Sequence, residues 1–165
     1  MKKIAQKALD DLEFGVVLEQ AALRCATALG KAQMMATIPS SDLCEVKKAL
    51  LRTKDYASSF SEEKPIPNHG FEDVSDEVSL LEVENSKIEV EGLRKLLLLV
   101  DTANTLITFL KKNKDLYPTL FEATCGQVPI KEIPKEINRV LDKFCEVKDR
   151  ASENLHITVS YTHLT

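Results

Sequence analysis

Between Ser86 and Asn113 apolar residues return every third or fourth position. Leu93, Leu96, Leu97, Val100, Ala103, Ile107 and Leu110 fall on one helical face. Leu98, Leu99, Leu106 and Phe109 widen the stripe beyond one side, so this helix is expected to be covered by other elements over much of its circumference. Ser86 and Glu89 have capping-box spacing and predict a start between those two residues. Lys111, Lys112 and Lys114 suit the negative end of the helix dipole, and Asn113 can stop the helix. At about 1.5 Å per residue the rod is roughly 35 Å long. The spacing predicts Leu96, Leu97, Val100 and Ile107 as core residues.

Shorter helical patterns flank it. Ile4, Ala8 and Leu12 share a side over residues 3–11, and Leu12-Glu13-Phe14-Gly15 reads as a break. Val16 to Cys25 forms a second helix, and Thr27 is placed to cap a third that runs to about Ala36. After Pro39, Ser41 or Asp42 caps the next, with Glu45 at capping-box distance. Residues 61–71 hold two prolines, a glycine and an asparagine and predict a surface loop. Val74, Val78 and Leu81 mark a short acidic helix. Asp115 is placed to cap another through Leu116, Leu120 and Phe121, which Gly126 ends. Pro129 and Pro134 bracket the start of a helix with Ile133, Ile137 and Val140 facing inward.

Residues 139–149 have enough alternation for a two-stranded hairpin, whereas periodicity favours a helix continued to Phe144. Asp149, Ala151 and Ser152 look like a further helix start. It should fail soon after Leu155, because Ile157 to Thr165 is rich in β-branched residues and has no helical stripe. The fold class is therefore mainly all-α, a multi-helix domain organised on one long helix.

Composition agrees. The 165 residues make one domain or a large part of one, and 44% are hydrophobic but only 5% aromatic, without Trp. That favours an aliphatic, leucine-rich helical interior. The net charge of −4 argues against a chain that binds nucleic acid through bulk charge. The charge is uneven: ten acids and two bases between Glu62 and Glu91 give −8, leaving +4 elsewhere. Cys25, Cys44, Cys125 and Cys145 are widely spaced, and His69, His156 and His163 are not at ligand spacing from them, so free thiols in a reducing cytoplasm are expected. Lys7, Asp10 and Asp11 interrupt any leader-like stretch, and the longest aliphatic run, Leu96 to Val100, is far short of a membrane span.

Candidate chemistry is sparse. Gly30-Lys31 lacks the upstream glycine of a phosphate loop and is followed by Ala32 where Ser or Thr would hold magnesium. Glu82, Glu84, Glu89 and Glu91 have no accompanying His, Lys or aromatic cluster and read as a solvated acidic face. His69 lies in the proline-rich loop with no nucleophile near it in sequence. No catalytic, cofactor-binding or metal site is expected. The densest basic cluster, Lys111, Lys112 and Lys114, either completes the helix dipole or makes weak phosphate contacts. Tyr117 beside it either stacks on a base or covers the end of the core.

Three stretches in order resemble one family. They are Leu12-Glu13-Phe14 with Leu18 and Leu29-Gly30-Lys31, then Ile38-Pro39-Ser40-Ser41-Asp42, then Arg139 through Leu155. Together they look like the N-terminal core, or lever, region of the bacterial MutS paralogue that carries a C-terminal Smr nuclease domain. The resemblance covers about residues 10–155. It implies a small β-hairpin near 139–148, although Cys145 stands where the family's turn usually has Gly. It also implies a long lever helix after Asp149, which Ile157-Thr-Val-Ser-Tyr-Thr cannot make.

The expectation is therefore a fragment: residues 1–155 a MutS-like helical core domain and 156–165 an irregular tail foreign to the family. The parent implied is a dimeric, cytoplasmic ATPase and nuclease that acts on branched DNA, suppresses recombination or acts on stalled ribosomes. ATP and magnesium would belong to the parent, not to this chain. Its partners would be the rest of its own chain and, through the parent, DNA or the ribosome, with no membrane. The rival reading is a free-standing helical protein-interaction domain. A small enzyme is the third, disfavoured by the lack of a convergent polar cluster.

Overall fold

The computed structural model describes residues 5–61, 63–142, 144 and 146–148. Among these the secondary structure is helical: α1 (Gln6–Asp11), α2 (Phe14–Ala22), α3 (Ala28–Met35), α4 (Leu43–Ser58), α5 (Ser75–Leu81), α6 (Val90–Lys112), α7 (Pro118–Ala123) and α8 (Glu132–Val140). The all-α class predicted from periodicity is what is found.

The chain divides into two compact units. One comprises residues 1–72 and 105–128, the other 73–104 and 129–165. Helix α6 supplies its first part to the second unit and its last turns to the first.

In the first unit, α2 packs against α1 and α3, and α4 against α7. Local chemistry sets the boundaries. The break between α1 and α2 falls at Glu13, inside the predicted stretch 12–15, with a φ of 51° in the left-handed region. Thr27 caps α3 by accepting from the Gly30 amide at 3.0 Å. Of the two candidates before α4, Asp42 is the cap, accepting from the Cys44 and Glu45 amides. Glu45 accepts from the Ser40 hydroxyl at 2.8 Å, so it does not complete a capping box on Asp42.

Asp115 does not cap α7, contrary to the sequence expectation. Tyr117 occupies that position and Pro118 opens the helix. The first-turn α7 amide of Thr119 is satisfied instead by Asp55 of α4, at 2.8 Å, with the Thr119 hydroxyl donating to the same oxygen at 2.6 Å. Gly126, at φ 87°, turns the chain after α7.

In the second unit, the core is Val74, Leu96, Ile137 and Leu141, with Ile88, Val90, Leu93, Leu97, Leu99 and Val140 packed around it. Helix α6 starts at Val90, one residue beyond the predicted window, with the Glu89 carbonyl accepting from the Leu93 amide at 3.1 Å. Ser86 does not cap it; its hydroxyl donates to the Leu80 carbonyl and closes the turn after α5. Gly92 is buried because Glu77 of α5 lies across it: a Cβ there would stand 2.8 Å from Glu77 Cγ. Leu96 and Val100 are buried as predicted, whereas Leu97 and Ile107 are half-buried and Leu110 takes a core place in the first unit.

Two expectations for α8 and its sequel are corrected. Ile133 is 40% exposed rather than inward, since it precedes the turn that docks Ile137. Among the described residues the hairpin at 139–148 is present only as one antiparallel bridge, Leu141 to Val147, with the Asp142 and Lys148 amides donating to the Glu146 and Val140 carbonyls at 2.9 and 2.8 Å, while Arg139 and Val140 are helical. Packing decides this: helical geometry keeps Ile137 and Val140 at the core, and Leu141, 1% exposed, fills it where the helix ends. The short connection is closed by Asp142, whose carboxylate accepts from the Phe144 and Glu146 amides at 2.8 and 2.9 Å. Cys145, the helix start expected at Asp149 and the tail 156–165 lie outside the described residues.

Candidate nucleic-acid interface

Helix α6 ends by a side-chain stop. Both the backbone amide and the Nδ2 of Asn113 donate to the Phe109 carbonyl, at 3.0 and 2.8 Å. This places Lys111 and Lys112 in the last turn and Lys114 just beyond it, all three exposed. The structure thus brings the three sequence-predicted lysines to one helix end. Exposed Asp115 follows directly and tempers their field. Ammonium groups on flexible stems act as point charges toward phosphate, without the fork geometry that would fix a register.

Tyr117 does not join them as a stacking platform. It is 0% exposed, its ring lies 5.9 Å from that of Phe109, and its hydroxyl donates to the Lys64 carbonyl at 2.8 Å. Of its two sequence readings, covering the core is the one realised. Behind the lysines, Ile107, Lys111, Phe121 and Val128 line an open cavity of about 220 Å³.

The other candidates are structural. His69 is held by its loop: Nδ1 donates to the Pro67 carbonyl at 3.0 Å and Nε2 accepts from the Tyr56 hydroxyl at 3.1 Å. Glu82, Glu84, Glu89 and Glu91, read from the sequence as a solvated face, are all exposed. Glu77 is half-buried and pairs with Lys95 at 3.5 Å. The Arg94 guanidinium, bonded to Glu91, holds that carboxyl below its ordinary value. Among the described residues no three His, Cys, Asp or Glu side chains come together as a metal site, and no helix is long and apolar enough to cross a membrane. Cys25, Cys44 and Cys125 are free thiols.

A second basic cluster lies on α4. Lys47, Lys48, Arg52 and Lys54 fall within two turns of α4 and are all exposed. Their density was legible, but they are interleaved with leucines and read as part of an ordinary amphipathic helix.

Among the described residues, eight helices and an exposed basic helix end define an all-helical protein. The chain is similar to proteins named MutS2. The MutS2 of Bacillus subtilis is 27% identical over 152 residues, 91% of this chain. Endonuclease MutS2 of Lactobacillus johnsonii is 26% identical over 90% of the chain, and that of Halothermothrix orenii 26% over 91%. The match takes in 19% of the first two relatives and 20% of the third, so the chain spans about a fifth of their length. No family model matches the chain, and no solved structure does. The similarity runs through nine tenths of the chain, which agrees with the MutS part of the resemblance drawn from its motifs.

Proposed function

We propose that this chain is a non-catalytic structural module of a MutS2-like protein, the beginning of its helical core. The observation that carries the reading is the similarity running through 91% of the chain to one fifth of proteins named MutS2. On this reading the endonuclease activity in the relatives' names belongs to the parent, as do its ATPase and Smr nuclease parts, its ATP and magnesium, its dimerisation and its cytoplasmic location. Its action on branched DNA, on recombination or on stalled ribosomes belongs there too. The module's role is mechanical. A continuous 23-residue helix shared by two compact units is suited to carrying a movement from one part of the parent to another. Its partners are the rest of the parent chain and, through the parent, nucleic acid or the ribosome, with Lys111, Lys112 and Lys114 as weak phosphate contacts.

Reading the source gene beyond the Leu155 codon in all three frames tests this. A Gly-x-x-x-x-Gly-Lys-Ser/Thr phosphate loop downstream is expected, and a gene that closes without one overturns the reading. The purified chain should neither bind nor hydrolyse ATP; turnover that survives Lys31→Ala would show an active site of its own. The contact role is tested by salt titration of duplex DNA binding. Three phosphate contacts give a slope of about −2.7 in log K against log salt. The triple change of Lys111, Lys112 and Lys114 to Gln should abolish it, and binding that keeps its slope would place the contact elsewhere.

A further inference from the structure

The exposed face of α4 carries a pattern that the module's proposed role does not use. Leu43, Lys47, Leu50 and Lys54 succeed one another at steps of four, three and four residues, the spacing of a coiled-coil seam. Leu51 flanks the seam. The apolar members lie open: Leu43 is 67% exposed, Leu50 64% and Leu51 48%. This is surface a folded chain normally covers. The two acids on α4 are engaged away from the seam, Glu45 with Ser40 and Asp55 with Thr119. Neither forms an ion pair with Lys47 or Lys54.

From this we infer that α4 is a docking helix for an acidic amphipathic helix of a partner protein, with leucines at its own seam and glutamates facing Lys47 and Lys54. Charge selects this occupant. A parallel second copy would set Lys47 and Lys54 against themselves, and an antiparallel one would seat each lysine against a leucine with no counter-charge; both disfavour association. A nucleic acid would engage the lysines but leave the leucines wet. Only an apolar seam edged by carboxylates covers both. The inference does not depend on the family reading, since it rests on α4 alone.

The test uses the purified chain and a labelled four-heptad peptide with Leu at every d position and Glu at every a and g position. The same peptide with Lys for Glu is the control, and affinities come from fluorescence anisotropy. The acidic peptide should bind about tenfold or more tighter than the basic one, and K47E/K54E should reverse that order. L43S/L50S should weaken the acidic peptide by a further margin. All four positions are exposed, so far-UV circular dichroism should be unchanged in each variant. Equal affinity for both peptides, or no effect of K47E/K54E, overturns the proposal. So does indifference to L43S/L50S, which would make the face a purely electrostatic one. Displacement of the acidic peptide by duplex DNA at equal charge would assign α4 to nucleic acid. Self-association abolished by L43S/L50S would assign it to a second copy.

Discussion

Tyr117 offers a graded probe of the first unit, because its ring and its hydroxyl do separable work. The ring is wholly buried, against Phe109 of α6, while the hydroxyl reaches across the chain to the Lys64 carbonyl at 2.8 Å. Tyr117→Phe keeps the ring and removes the donor. Lys64 is exposed, so its carbonyl can turn to water, and the loss should be the net value of one hydrogen bond, about 1 kcal/mol. Tyr117→Ala removes the ring as well and opens a cavity where α6 gives way to α7, at a cost of about 3–5 kcal/mol. Urea denaturation followed by far-UV circular dichroism gives both values, with the slope expected to stay constant. Amide exchange should separate the two changes further. Tyr117→Phe should speed exchange around residues 63–71, whereas Tyr117→Ala should speed it in α7 too. A Tyr117→Phe loss equal to that of Tyr117→Ala would refute the division of labour. A Tyr117→Ala loss under about 1 kcal/mol would show that the unit is not organised around this residue.

Leu96→Ala in the second-unit core should cost about 2–5 kcal/mol, and Leu98→Ala, at 42% exposed, clearly less; equal losses in urea titration would mean that α6 does not bury the stated face. Asp55→Ala should cost about 0.5–2 kcal/mol by uncapping α7, with Asp55→Asn milder because an amide oxygen can still accept; an effect on α4 alone would remove the capping role. The Asp73 carboxyl is held below its ordinary 3.8 by hydrogen bonds from the Ser75 hydroxyl and amide. A lowered folded value means that its support for α5 is complete above pH 3.8 and is lost as pH falls through the folded midpoint. Carboxyl NMR titration should put that midpoint below 3.8, and Ser75→Ala should move it upward; a midpoint insensitive to Ser75 contradicts the assignment.

What could be read from the chain alone is what is decided within a few residues. Thr27 and Asp42 cap helices that begin beside them, and Asn113 stops the helix that ends beside it, because each bond closes over two to four positions. The apolar stripe of α6 was legible for the same reason, as was the gathering of Lys111, Lys112 and Lys114 at its end. Tertiary structure alone decided the rest. The cap on α7 comes from Asp55, 64 residues away in sequence, and Tyr117 is turned inward toward a carbonyl 53 residues away. Neither partner could be chosen by a local rule that favoured Asp115 or left Tyr117 free to stack. Residues 139–148 were balanced between helix and hairpin by local pattern, and the balance fell where burying Ile137, Val140 and Leu141 together was possible. Local hydrogen bonds are specified by neighbours in sequence, whereas burial is a property of what the folded chain brings to the same place.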